Sequence, residues 1–212
     1  MKKLIISFAF LFLCVITIAQ KSAYMQAMGK TLSQYSSAHS PADFQQIANK
    51  FAVIAKAESE EWLPVYYEAQ SYILMSFTES DAAKKDPYLD EAEKLVDQLI
   101  KMAPEEPEVY VLQSFYYTGR LVVNPMERSQ KFSALSNQAT GKALALDPKN
   151  PRARYLNIQM EIGKARYMGG DVSAYCEEAK QLLADWDNYE PKSPIHPSWG
   201  KEQLGGLVKS CE

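Results

Sequence analysis

Residues 104–107 read PEEP, residues 148–151 PKNP and residues 191–194 PKSP, so one tetrapeptide pattern recurs at spacings of 44 and 43 residues. A recurrence at fixed period marks a repeat architecture, because a unit of that size buries its apolar face only against the next copy. The two prolines have different roles. The first ends a helix, since it lacks an N–H and disfavours helical geometry in the residue before it; the second opens the next helix, whose first turn needs no N–H. Counting 43 residues back from Pro107 reaches Pro64, and the segments opening at Pro64, Pro107 and Pro151 align as PVYYEAQSY, PEVYVLQSF and PRARYLNIQ. This register sets Gln70, Gln113 and Asn157 at one position of successive helices.

Between the junctions, apolar residues recur with helical period. Phe44, Ile47, Ala48, Phe51, Ala52 and Ala55 make one buried face, and the same pattern returns in Leu89, Ala92, Leu95, Val96, Leu99 and Ile100. Phe132, Leu135, Ala139, Ala143 and Leu146 form a third stripe, and Val172, Tyr175, Cys176, Ala179, Leu182, Leu183 and Trp186 a fourth. No stretch alternates as a strand would. The pattern predicts helices at 22–36, 41–57, 64–78, 88–102, 107–120, 128–146, 151–167, 171–186 and 198–210. The expected fold is all-α, a right-handed α–α superhelix of about four helix pairs with a C-terminal capping helix. Three prolines within 191–197 delay that last helix, and Trp199, Leu204, Leu207 and Val208 supply the stripe that closes the end of the stack, so 191–212 reads as the capping segment.

The runs KALALDPKNPRARYLN (142–157) and, more loosely, KLVDQLIKMAPEEPEVYVLQ (94–113) resemble the junction between consecutive tetratricopeptide (TPR) repeats, and the similarity extends over residues 41–190. The overall form resembles exported, TPR-like proteins of Gram-negative bacteria. The resemblance implies a concave groove, lined by the first helix of each pair, that binds a peptide or protein. The period of 43 or 44 departs from the usual repeat of about 34 residues. The extra residues fall between the helices of each pair, at 78–87, 118–127 and 167–171.

Residues 1–20, MKKLIISFAFLFLCVITIAQ, carry two lysines and then an apolar run too short to span a bilayer comfortably, ending in the small residues Thr17 and Ala19. This is a signal peptide, with cleavage expected between Ala19 and Gln20 and residues 20–212 forming a single TPR-like helical domain. Leu13 before Cys14 does not make a lipidation site. The expected location is the periplasm, with release outside the cell as the alternative, and no stable membrane insertion after cleavage. Export lets Cys176 and Cys211 form a disulfide, which packing of the last two helices would bring together; the sequence leaves bond and free thiols both open.

The formal charge of −3, with 23 basic and 26 acidic residues, gives nucleic acid no electrostatic reason to bind. Only two histidines occur, His39 in SSAHSP and His196 between Pro194 and Pro197, both in loops expected to face solvent. No catalytic or metal-binding motif is present. Acidic groups such as Glu105, Glu106 and Glu108 sit where carboxylates favour helix N-termini. The chain is therefore not expected to be an enzyme or to hold a cofactor or metal.

The first helices of the pairs carry many tyrosines, among them Tyr66, Tyr67, Tyr72, Tyr110, Tyr116, Tyr117 and Tyr155, with Arg120, Arg152, Arg154 and Arg166 nearby. Tyrosine gives amphipathic contact area and favours interfaces. The leading expectation is a scaffold that binds a peptide or protein through a Tyr/Arg groove formed by Gln70, Tyr110, Gln113, Tyr117, Arg154 and Asn157. The alternative is a small-molecule carrier or enzyme with a pocket built by the long insertions and a lid at Leu121, Val122 and Val123.

Overall fold

The computed structural model describes residues 20–211, so the expected signal peptide and its cleavage residue Ala19 lie outside the described residues. Helix α1 covers residues 20–32 and continues into a 3₁₀ turn, Ser33–Ser37. It is followed by α2 (Pro41–Ala57), α3 (Trp62–Thr78), α4 (Ala82–Met102), α5 (Pro107–Val123), α6 (Pro125–Leu146), α7 (Pro151–Tyr167), α8 (Ser173–Asp185) and α9 (Lys201–Lys209). The fold is all-α, with no strand among the described residues.

Side chains at the junctions explain the helix starts. Pro107 and Pro151 each occupy the first helical position, as the repeated tetrapeptide predicts. Asn150 caps α7 by accepting from the Ala153 amide at 2.9 Å. Ser40 and Asp43 form a reciprocal capping box at the start of α2, satisfying amide donors that a helix end leaves unpaired.

Two of the three expected insertions, 78–87 and 118–127, mostly extend the helices instead, while 168–172 remain a turn between α7 and α8. Helix α4 begins at Ala82, capped by Asp81, and carries Pro87 within it; α5 runs to Val123, and a single residue, Asn124, separates it from α6. Leu121, Val122 and Val123 are the last turn of α5 rather than a lid, and no long loop is available there to build a pocket. Asn124 caps the next helix from its side chain, so the chain turns back within one residue.

Consecutive helices pack against one another, and α3 also meets α5, and α5 meets α7. One apolar core runs from α1 to α5 through Met28, Phe51, Ile73, Leu89, Leu99 and Leu112; a second joins α5, α7, α8 and α9 through Val111, Leu156, Ile158, Ile162, Leu182 and Leu204. A buried ion pair ties α5 to α7. Glu108 and Arg152 are 0% and 1% exposed, and the guanidinium donates to both carboxylate oxygens, Nε to Oε2 at 2.8 Å and Nη2 to Oε1 at 2.6 Å. The Asn150 amide donates to the same carboxylate. Burial works against the charge on Arg152, but the hydrogen bonds and attraction of Glu108 outweigh it and hold the guanidinium ionised.

The C-terminal segment does more than close the end of the stack. Helix α9 packs on α8, and Cys176 and Cys211 are bonded, with Cα atoms 5.9 Å apart. Residues 189–200, however, form a strap across α3, α5 and α7. Tyr189 lies under the Arg152 guanidinium, Lys192 pairs with Glu106 at 2.7 Å, the Tyr67 hydroxyl donates to the Ile195 carbonyl at 2.8 Å, and Trp199 Nε1 donates to the Tyr66 hydroxyl at 2.8 Å. The strap ends at Gly200, whose φ of 111° suits glycine; a Cβ there would lie 2.8 Å from the Trp186 ring.

Glu108→Ala should cost about 3–5 kcal/mol of unfolding free energy in urea, because it leaves a buried guanidinium unpaired. Replacing both Cys176 and Cys211 by alanine should cost about 2–4 kcal/mol, the entropy released when a 35-residue closure opens in the unfolded chain.

Candidate functional cleft

The strap turns an open groove into a cleft of about 430 Å³. One wall comes from the N-terminal region, with Leu32, Tyr35 and Phe44, and a second from Tyr67, Gln70 and Leu74, spaced along α3 so that they share a face. Phe115 of α5 and Tyr155 of α7 reach it from the far side, and Pro194, His196, Ser198, Trp199 and Gln203 close it. No lining side chain is an Asp, Glu, Lys or Arg. The cleft is a neutral, aromatic slot with a few polar groups, the kind of concavity that takes a small apolar ligand.

Its aromatic walls are held in place by further rings and hydrogen bonds. The Tyr35 hydroxyl lies 2.9 Å from the Tyr67 carbonyl and 2.7 Å from the Ser71 hydroxyl. Phe51 stacks on Tyr67 with ring centres 5.2 Å apart. Trp199 lies 5.1 Å from Phe115, and Phe115 stacks on the partly exposed Phe77 at 5.2 Å, so three rings run in series along one edge. Burial opposes ionisation of the Tyr35 and Tyr67 phenols, raising their pKa, and pushes that of Tyr155 up to about 12. All three therefore stay protonated at neutral pH and act as hydrogen-bond donors.

His196 departs most from expectation. It is 5% exposed rather than solvent-facing, its ring meets Trp62 edge-on, and neither ring nitrogen has a hydrogen-bond partner among the described residues. The Glu106 carboxylate is 3.7 Å from Nε2, too far for a hydrogen bond. Burial opposes ionisation of Glu106, yet His196 and Lys192 outweigh it and hold the carboxyl below its usual range. His39, by contrast, is exposed.

Of the residues expected to form a binding groove, Gln70 alone lines the cleft. Phe115 lies two residues beyond Gln113 and Tyr155 two before Asn157, a rotation of about 200° around the helix axis in each case. The shared register therefore does not make a row of amides facing one ligand. Gln113 sits beside the Tyr117 hydroxyl, and Tyr117 packs on Tyr116 and Phe132. Tyr110 donates to the Pro104 carbonyl at 2.8 Å, closing its own turn, while Arg154 and Asn157 are half-buried outside the cleft. Three of the four arginines expected to make a cationic surface are held by other groups. Arg120 is bound by Asp86, Asp90 and Glu93, Arg152 by Glu108, and Arg166 donates to the Ser210 carbonyl.

No protein-family model matches the chain, nor does the sequence of any curated protein. Among solved structures, it is similar to the HusA haemophore from Porphyromonas gingivalis, with a TM-score of 0.78 and 27% sequence identity over 91% of this chain and 94% of that one. The likeness supports the all-α fold. It also corrects the expected function and partner: that protein is a haemophore, a carrier of a small molecule, so the reading as a scaffold gripping a peptide or protein does not stand. The pocket-bearing alternative is favoured, although the strap and not the inserted segments builds the pocket. Among the described residues, no helix is long and apolar enough to cross a membrane, and no cluster of His, Cys, Asp and Glu could hold a bare metal ion.

The Glu106 contact with the strap gives a pH test. Its folded ionisation lies below the unfolded value of about 4.3, so its contribution is complete above that pH and is lost as pH falls through the folded value. Between pH 6 and pH 3, the urea midpoint of Glu106→Gln should fall less than that of the wild-type chain, the difference opening below about pH 4.3.

Proposed function

We propose that this protein is an exported carrier of haem or a closely related porphyrin, held between the strap and the inner faces of α3, α5 and α7. The observation that carries the reading is the cleft itself, a slot walled by tyrosine, phenylalanine and tryptophan with no charged lining group. A flat apolar macrocycle gains from ring contact on both faces and from leaving water, whereas a peptide backbone would need a row of donors and acceptors that these walls do not present. The similarity to a haemophore over nearly the whole chain points to the same cargo. The carrier performs no catalysis in this reading.

Export belongs to the same proposal. Residues 1–19 serve as a signal peptide cleaved before Gln20, and 20–212 act as one helical unit. The Cys176–Cys211 bond suits an oxidising compartment outside the cytoplasm.

Titration of the purified chain with iron(III) protoporphyrin IX, followed by absorbance and by quenching of tryptophan fluorescence, should saturate. Phe115→Leu, which keeps apolar volume but removes the flat ring, should weaken binding by about fivefold to tenfold, equivalent to roughly 1–1.4 kcal/mol for one lost aromatic contact. Absence of saturable binding, or full affinity in Phe115→Leu, would overturn the assignment of this cleft.

A further inference from the structure

Resting on the porphyrin-carrier reading, we infer that the cleft selects porphyrins whose carboxylates share one edge, and that it holds that edge outward at a rim formed by Ser198 and Gln203. The lining is graded from inside to outside. Phe44, Tyr67, Gln70, Tyr155 and His196 form a buried floor, whereas Pro194, Ser198 and Gln203 are exposed. All three exposed residues belong to the strap or to α9, so the cleft meets water where the strap runs into that helix. A porphyrin is apolar across its rings and carries its carboxylates on flexible chains at the periphery. The direction in which those chains point is therefore set by which part of the lining tolerates a charge.

The floor does not tolerate one. An ionised carboxylate that leaves water needs a cation or several donors to compensate it. No Asp, Glu, Lys or Arg lines the cleft, and the cations around the strap are engaged elsewhere: Lys192 by Glu106, Arg152 by Glu108 and Lys201 by Asp187. The phenols are engaged as well, Tyr67 with the Ile195 carbonyl and Tyr35 with the Tyr67 carbonyl and the Ser71 hydroxyl. Both ring nitrogens of His196 are covered by protein. Gln70 leaves one neutral amide, too little to offset a buried carboxylate. At the rim the balance reverses. A carboxylate there keeps its water, and the Ser198 hydroxyl and the Gln203 amide can each donate to it. The macrocycle thus enters by its apolar side and stops with its acids outside. A porphyrin with acids on every side has no such orientation.

The experiment titrates the purified chain with three metal-free porphyrins, read by porphyrin fluorescence. These are protoporphyrin IX, whose two acids are neighbours; its neutral diamide, made by coupling both acids to ethanolamine; and uroporphyrin, with eight acids spread over all four sides. The diamide should bind within about threefold of the diacid, and uroporphyrin weaker by at least about a hundredfold. Gln203→Glu, which sets a negative charge at the rim, should weaken the diacid by about threefold in low salt, with the loss gone at about 0.5 M salt. Its affinity for the diamide should stay at the wild-type value, which also shows that the variant is folded. Ser36→Glu, an exposed position beside Tyr35 on the N-terminal wall, should leave all three unchanged. Uroporphyrin bound as tightly as the diacid, or a diamide more than about tenfold weaker than the diacid, would overturn the inference. So would equal loss of diacid and diamide in Gln203→Glu, or a larger loss of diacid in Ser36→Glu; in each of these cases the carrier reading stands. Failure of wild type to bind any of the three would instead refute the carrier reading, and this inference with it.

Discussion

The Glu108–Arg152 pair is the constraint on which the remaining geometry depends. It joins α5 to α7 where the two helices begin, and the Arg152 guanidinium then supports Tyr189 at the start of the strap. Burying two charges is costly, and bidentate geometry with an added amide from Asn150 repays it only when all three groups are in register. The pair therefore specifies how the repeats stack. Apolar stripes alone would tolerate sliding of one helix past another; a forked hydrogen-bond arrangement does not.

From that point the strap acquires its path. Tyr189 is placed by Arg152, Lys192 by Glu106, Ile195 by Tyr67 and Trp199 by Tyr66. These contacts come from three helices far apart in sequence, so the strap is set by the assembled stack rather than by local preference. Its prolines contribute by keeping 191–197 out of helix, leaving an extended segment free to follow the groove. The disulfide between α8 and the end of α9 anchors the far end of this segment to the body. A groove that would have been open becomes a partly covered aromatic slot.

That closure changes which ligands the surface suits. Open TPR-like grooves suit extended chains with many polar groups, whereas a neutral cleft of about 430 Å³ with phenols, indole and phenyl rings suits a flat, apolar molecule. Two of the cations that sequence proximity placed in the groove are instead used by the structure. Arg120 gathers the carboxylates of α4, and Arg152 joins the repeats. The fold overlaps that of a haemophore over nearly the whole chain.

The sequence by itself determined the helices, their order and most of their buried faces. Proline spacing located the starts of α5 and α7, and helical periodicity placed Leu99 and Leu182 in the core, because both signals act within a few residues. The extra residues at 78–87 and 118–127 were legible as additions but not as helix, since Pro87 and Asn124 resemble loop signals until the caps of Asp81 and Asn124 are seen in place. The cleft was not legible. Tyr67, Gln70 and Tyr155 stood out as residue types, but whether a ring lines a slot or a core depends on how far each helix rolls against its neighbours. The placements of His196 and Glu108 were hidden for the same reason. A loop histidine becomes buried only when residues 189–200 cross the groove, and an acidic residue at a helix start becomes a buried anchor only when an arginine 44 positions later packs against it. Tertiary structure decided these features because they arise from contacts between distant segments, whose free energies no local pattern encodes.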